Sequence, residues 1–360
     1  MVIKPYPNLS NMNNSILTKS FYMALDKKLH ESKISLDNLD DNNNEEIEGL
    51  IHQLISELSP SLKKLLLTDY HKTLLKKRDL FKSFCDKNVQ RWQAGFDLLE
   101  VFILICIESG DNFNTAYRPS AFEKNDIVFD IVVKHHARAC QIAQEILCLL
   151  KSGFPDGAHA RWRALHEVTV TALFIAKNGY ECAERFYWYE VVESYKGMLQ
   201  HKRYEHRLNE KGPTNKEIED CKITYDQLID KYGRSFGKPY GWAANFINKG
   251  RVAFSDIEEN VSLDHMRPYY KWASQTIHAG PKGINKTLSL CNSENNILLV
   301  GQSSSGMPDP AHGTAIALAQ ITTALLNIDT TIDRLIVLTI INEITKEIGE
   351  VFLKCDIQKL

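Results

Sequence analysis

Apolar side chains recur every three or four residues along most of the chain, which is the spacing of one face of an α-helix. Pro60, Gly110 and Gly179 are expected to end the helices that precede them, and Asp264 to cap the start of a later one. Helices joined by tight turns predict a mainly α fold, an antiparallel helical bundle. The predicted helices cover 46–59, 61–88, 89–110, 122–153, 158–178, 181–208, 215–232, 265–278 and about 312–354.

Three segments depart from this helical pattern. Residues 1–45 are polar and end in an Asn/Asp-rich stretch, so we expect them to be partly mobile. Residues 209–262 form a long insertion that is rich in glycine and aromatic residues, and this composition favours a lid or a partner surface. Residues 286–301 alternate as in a small β-hairpin. The predicted domains are an N-terminal helical region, 46–118, and a bundle core domain, 119–360.

The composition is that of a globular protein with no global attraction for nucleic acid. Of 360 residues, 44% are hydrophobic and 24% charged, and the formal net charge is −2. Eight cysteines are present and none forms a Cys-x-x-Cys pair, so we expect reduced core thiols and a cytoplasmic protein. The apolar runs at 101–107 and 335–341 are too short to span a bilayer, so no membrane partner is predicted. Neither a metal site nor a cofactor site is indicated.

The segment RWRALHE, residues 161–167, places charges on an otherwise apolar helix. Residues three or four apart share a helix face, so Arg163, His166 and Glu167 are expected to project together. Burying such groups costs several kcal/mol unless they are paired. Two interpretations remain open. The charges lock this helix to its neighbours, or they face a pocket that binds or turns over an anion.

The spacing from Arg161 to His166, with four residues between them, resembles the motif of HEPN-type helical nucleases. That resemblance implies a metal-independent ribonuclease acting on RNA, often as a homodimer. Arg161 and Arg163 would hold a phosphate, while His166 would transfer protons between the RNA 2′-hydroxyl and the leaving group. His278 would assist as a second acid/base group, since histidine titrates near neutral pH.

The same segment, with YYKWASQTIHAGPKG at 269–283, resembles a family of uncharacterised all-helical bacterial proteins. In that family a helix with the motif Arg-x-Leu-x-Glu is followed by a later helix. The end of that later helix carries a serine or threonine and, three or four residues further on, a histidine. The resemblance covers roughly residues 120–345, and some members look like components of phage-defence or toxin systems. It matches Arg163, Glu167, Ser274 and His278 to the family's recurrent polar positions.

Two function hypotheses follow, from different classes. The first is the HEPN-like ribonuclease or defence effector. The second is a non-enzymatic sensor or interaction protein in which Glu167, Ser274 and Tyr270 help to bind an anionic small molecule or a partner. HEVTV at 166–170 lacks the second histidine of the zinc-protease motif, and GQSSSG at 301–306 lacks the second glycine of the serine-hydrolase motif. The sequence also contains no glycine-rich motif of a phosphate-binding loop.

Overall fold

The computed structural model describes residues 16–32, 44–291 and 297–357, which form twelve α-helices and no strand. A mainly α fold is therefore confirmed. Contacts divide the chain into two compact units, Met1–Ser83 and Phe84–Leu360. The helices are α1 (Ile16–Ser32), α2 (Asn44–Arg91), α3 (Gln93–Glu123), α4 (Ile127–Lys151), α5 (Pro155–Leu208), α6 (Asn215–Tyr232), α7 (Ala244–Ile247), α8 (Phe254–Asn260), α9 (Arg267–Ile277), α10 (Pro281–Asn285), α11 (Pro308–Leu326) and α12 (Ile332–Ile357).

The first unit contains α1 and most of α2. The predicted mobile stretch at 1–45 includes α1, and its remaining residues up to 43 lie outside the described ranges. Pro60 lies inside α2, so the prediction that it ends a helix was wrong. In the turn before Pro60 the hydroxyls of Ser56 and Ser59 donate to the carbonyls of Gln53 and Ile55, a pattern that bends helices without ending them.

The second unit is built around α3, the first half of α5, α4, α11 and α12, which enclose the main apolar core. Helix α3 belongs to this core because Trp92, Phe96 and Phe102 are fully buried there. The first contact unit ends at Ser83, before this helix begins. No helix in the described ranges is long and apolar enough to cross a membrane.

Gly110 was expected to cap a helix, and this prediction was wrong. It lies in the middle of α3, and a Cβ added there would lie 2.3 Å from Cε1 of His136 on α4. The glycine therefore permits a close helix contact rather than a turn. Gly179 does interrupt the helical backbone of α5, with φ of 72° and ψ of −155°, as predicted.

Two further element predictions required correction. The apolar stretch 312–354 forms two helices, α11 and α12, separated by residues 327–331. Asp264 opens a single 3-10 turn, and α9 begins at Arg267, where Pro268 occupies the first turn and needs no amide partner.

The predicted β-hairpin at 286–301 is not seen in the described residues, and its centre, 292–296, lies outside them. Leu288–Leu290 form a 3-10 turn instead. The backbone amides of Leu288 and Ser289 donate to the carboxylate of Asp156, at 2.7 and 3.0 Å. Since these amides are already bound at the start of α5, they are unavailable to a strand partner.

The middle of α5 and the insertion form a smaller apolar cluster. It contains Phe236, Trp242 and Ile257 of the insertion together with Phe174 and Ile175 of α5, all buried. Helix α6 begins with a capping box made by Thr214 and Glu217. The insertion is therefore folded onto α5, and it carries an acidic residue to the RWRALHE segment.

Candidate functional site

Three polar residues of the RWRALHE segment, Arg163, His166 and Glu167, lie on the part of α5 that faces the insertion and α9. His166 is 1% exposed, and its Nε2 lies 2.9 Å from Oε1 of Glu258 on α8, which is 0% exposed. The other carboxylate oxygen of Glu258 lies 2.7 Å from Nη2 of Arg267. An ionised carboxylate only accepts hydrogen bonds, so Nε2 of His166 is the donor. Glu258 thus joins α5 to α9.

A second set of contacts surrounds the hydroxyl of Tyr270 on α9. Arg163 donates to this hydroxyl at 2.9 Å, and the hydroxyl donates to Glu167 at 2.5 Å. Arg163 also forms an ion pair with Glu167 at 3.2 Å, and its guanidinium carbon lies 4.7 Å from the centroid of the Tyr270 ring. Burial, followed by the bond to Glu167, raises the pKa of Tyr270, so the phenol stays protonated at neutral pH.

His278 lies at the exposed end of this set. Nη1 of Arg163 donates to its Nε2 at 3.3 Å, so the structure brings His278 to Arg163 rather than to His166. The predicted residues Arg163, Glu167, Tyr270 and His278 therefore do converge. His166 adjoins them through its ring contact with Tyr270, with centroids 5.9 Å apart.

Arg161 and Ser274 make other contacts. Arg161 forms an ion pair with Glu145 on α4, on a different side of α5 from the His166–Glu258 pair. The hydroxyl of Ser274 donates to the backbone carbonyl of Tyr270, one turn earlier in its own helix. Within the described residues, the expected approach of Arg161 to His166 is therefore not observed.

The sequence patterns did not single out Glu258 and Arg267 as site residues. The signal was present in FSDIEEN, residues 254–260, because Glu258 shares a helix face with Phe254 and Val261. A carboxylate on an apolar face needs a partner when it is buried. Nothing in the sequence indicated that the partner would be His166, since the pairing depends on how the insertion folds back.

A stack of three rings leads along α5 from His166 to a cavity. The ring centroids of His166 and Trp162 lie 5.4 Å apart, and those of Trp162 and His159 lie 5.5 Å apart, with both pairs nearly parallel. This arrangement follows from residues spaced three and four apart on one helix face. Trp162 therefore contacts both the buried His166–Glu258 pair and the cavity.

The cavity has a volume of about 370 Å³, is partly open, and is lined by residues of α5, α9, α11 and α12 and of the turn before α9. Its buried side includes His159 and Trp162, each 2% exposed. Among the described residues, Nε2 of His159 and Nε1 of Trp162 are buried and have no hydrogen-bond partner. The remaining wall includes His265, Met266, Tyr269, Asp309, His312, Ile316 and Leu353.

Two glycines let the rings approach the neighbouring helices closely. A Cβ at Gly313 of α11 would lie 2.8 Å from Nε1 of Trp162, and a Cβ at Gly349 of α12 would lie 2.7 Å from Cε1 of His312. Burial lowers the pKa of His159 to about 4 and also lowers the pKa of His312. Both imidazoles are therefore neutral at pH 7.

The described residues contain no group of three or more His, Cys, Asp or Glu side chains arranged to hold a metal ion. No curated protein and no solved structure matches the chain at a significant level. Residues 129–297 match the model of a family of unknown function, DUF5677, which confirms the predicted resemblance of this part of the chain to an uncharacterised family.

Proposed function

We propose that this chain is a non-enzymatic helical binding protein that takes a small molecule into the cavity beside His159 and Trp162. The supporting observation is the cavity itself, whose walls combine the rings of His159 and Trp162 with the aliphatic side chains of Ile316 and Leu353. Small-molecule sites in proteins are concave and mostly apolar, with a few polar groups. The volume of about 370 Å³ suits a small organic molecule.

The burial of His166 argues against the ribonuclease hypothesis. A general acid or base must come within hydrogen-bond reach of its substrate. His166 is 1% exposed and bonded to Glu258, and Arg161 pairs with Glu145 instead of sharing a surface with it. The ribonuclease remains a hypothesis with its own test, but the contacts favour a binding role.

The hypothesis of an anionic ligand is also weakened at the predicted residues. Nη1 of Arg163 is bound by His278, and Nη2 is bound by Tyr270 and Glu167, so both terminal nitrogens serve partners within the protein. Nε is buried and therefore not accessible to an anion. The polar cluster around Arg163 therefore acts as a connection between α5 and α9. The proposed ligand site is the neighbouring cavity.

Thermal unfolding of the full chain tests the proposal. A set of small aromatic fragments, some anionic, some neutral and some cationic, would be added at millimolar concentration. A compound that binds the folded state only should raise Tm with concentration by mass action. Any compound that does so should lose its effect on Ile316→Trp, in which the larger side chain fills the cavity.

The matched control is Ile336→Trp, a substitution of the same size at a half-exposed position on α12 that does not line the cavity. The control variant should respond to the compound as the wild type does. If no compound raises the wild-type Tm, or if Ile316→Trp responds as strongly as the control, the cavity is not a binding site and the proposal is wrong.

A further inference from the structure

The geometry points to the groove between α3 and α4 as a docking site for a basic amphipathic helix of a partner protein. This groove and the cavity beside His159 share no lining residue, so the inference goes beyond the proposed function. Three features of the groove carry it: its length, an exposed apolar strip on α3, and two carboxylates that have no partner among the described residues.

The groove is long enough for a helix to lie in it. Its walls are residues of α3 between 104 and 114 and residues of α4 between 133 and 144, and its volume is about 720 Å³. At 1.5 Å of rise per residue, each wall is about 15 Å long, which corresponds to about three turns of a docked helix. At Gly110 α3 has no side chain, and the ring of His136, which packs against this glycine, lines the groove at the same level. The middle of the groove is therefore not filled by a side chain of α3.

An apolar strip on α3 runs along the groove and beyond it. The apolar strip consists of Val101, Leu104 and Ile107, which are spaced three apart on one ridge of the helix. Leu104 and Ile107 line the groove, whereas Val101 lies about one turn before it. Val101 and Leu104 are 50% and 59% exposed. Contiguous exposed apolar side chains mark interaction surfaces, and because this strip extends past the groove, an elongated partner buries more of it than a small molecule does.

Two acidic side chains of α3, Glu108 and Asp111, line the same groove. Within the described ranges neither carboxylate forms an ion pair or a hydrogen bond. Of the residues that line the groove, none is a lysine or an arginine, and burial lowers the pKa of His136 to about 4, so that its imidazole is neutral at pH 7. The two carboxylates are therefore available to cations from another molecule.

The cations beside the groove, in contrast, already have carboxylate partners. Arg118 and Lys134 both pair with Asp130, at 3.4 and 2.7 Å. Arg138 pairs with Glu145 at 3.7 Å. The two carboxylates of the groove are left unmatched, and lysine or arginine side chains of a partner would complement them.

A basic amphipathic helix meets both requirements. Its apolar face would pack on the apolar strip, with the ridges of its side chains entering the groove. Lysine or arginine residues beside that face, about one turn apart, would reach Glu108 and Asp111, which are themselves three residues apart on α3. This combination is the helix-in-groove mode of recognition.

A peptide of leucine and lysine, about four helical turns long and with leucines spaced three and four apart, is a suitable probe. The same peptide with glutamate in place of lysine is the charge control. Fluorescence anisotropy of the labelled peptides, titrated with the full chain, measures Kd. The lysine peptide should bind more tightly than the glutamate peptide by about tenfold or more, and its affinity should fall as salt is added.

A pair of tryptophan substitutions tests the groove. Ala137→Trp introduces a large side chain at an exposed position that lines the groove, so it should weaken binding of the lysine peptide by about tenfold or more. The control is Ala116→Trp, the same change at an exposed position of α3 outside the groove, which should leave Kd unchanged. Circular dichroism establishes that both variants are folded.

A pair of double substitutions tests the charges. Glu108→Gln combined with Asp111→Asn removes both carboxylates at nearly constant size, so it should weaken binding by about fivefold at low salt and by less at high salt. The control is Glu343→Gln combined with Glu347→Gln, which removes two exposed carboxylates of α12 that do not line the groove and should leave Kd unchanged.

The proposal is overturned if the lysine peptide does not bind, if Ala137→Trp binds it as Ala116→Trp does, or if the glutamate peptide binds equally well. It is also overturned if spermine, a flexible cation without an apolar face, binds as tightly as the peptide and loses its affinity when Glu108 and Asp111 are replaced, since the groove would then take small organic cations. Ile316→Trp, which fills the other cavity, should leave peptide binding unchanged, so this test and that of the proposed function fail independently.

Discussion

Nε2 of His166 lies 2.9 Å from Oε1 of Glu258, although 92 residues separate them in the sequence and both side chains are buried. Arg267 lies 2.7 Å from the other oxygen of the same carboxylate. Glu258 therefore holds the insertion against α5 and α9, by a hydrogen bond from His166 and an ion pair with Arg267. Of the two interpretations of the RWRALHE charges, the contacts support the one in which they connect helices.

Replacing Glu258 should destabilise the fold strongly. Glu258→Ala leaves His166 and Arg267 without their common partner, and removing one member of a buried pair costs about 3–5 kcal/mol. Glu258→Gln can still accept from His166, so its loss should be smaller, about 1–3 kcal/mol. Urea unfolding followed by circular dichroism measures both changes in the free energy of unfolding.

Glu145→Gln is the matched control, because Glu145 on α4 forms a partly exposed ion pair with Arg161 of α5. Exposed pairs contribute at most about 1 kcal/mol. A loss for Glu258→Ala no larger than that of Glu145→Gln would show that the buried pair does not hold the insertion in place.

A contrasting pair of glycines tests the helix packing. Gly110→Ala should destabilise the protein by about 1–3 kcal/mol, because the new Cβ would lie 2.3 Å from the His136 ring in a tightly packed contact. Gly197→Ala in α5 meets no atom within 4 Å and should stabilise the fold by about 0.4–1 kcal/mol. Equal shifts in Tm for the two variants would contradict the close contact between α3 and α4.

The regular helices could be predicted from the sequence, whereas the contacts of the site could not. Apolar periodicity located the helices α4 and α6 and the break at Gly179, because these depend on neighbours within one or two turns. The role of Gly110 depends on His136 in another helix, and the turn at Leu288 depends on Asp156. Such long-range contacts leave no local signal.

The same distinction applies to the candidate site. The convergence of Arg163 and Glu167 follows from their spacing of four on one helix. The family resemblance singled out His278 as a recurrent polar position but left open whether it meets Arg163, and Tyr270 was proposed only as a binding residue. The structure brings both to Arg163. The cavity was not foreseen, because its walls come from α5, α11 and α12, and the sequence gives no indication of which of their faces enclose a space.

The stability of the fold should fall as the pH is lowered from about 6.5 to 4. Burial lowers the pKa values of His136 and His159 to about 4 each, whereas an unfolded histidine has a pKa near 6.5. Between these values the unfolded chain binds protons that the native state does not, so the free energy of unfolding decreases as pH falls, by about 1.4 kcal/mol per pH unit for each histidine.

Chemical unfolding at a series of pH values measures this slope. His159→Phe keeps a ring beside Trp162 and removes one titrating group, so its stability should depend less on pH than that of the wild type. A slope for His159→Phe identical to that of the wild type would mean that His159 titrates normally in the folded protein.

The ribonuclease hypothesis predicts RNA cleavage by this protein, whereas the binding proposal predicts none. Wild type and His278→Ala would be incubated with total RNA in excess EDTA, after equal Tm values have been established. Because His166 is buried against Glu258 and Arg161 pairs elsewhere, we expect no cleavage by either protein. Cleavage by the wild type that is lost in His278→Ala would place metal-independent chemistry beside Arg163, and the polar cluster would then be a catalytic site that opens during turnover instead of a fixed connection between helices.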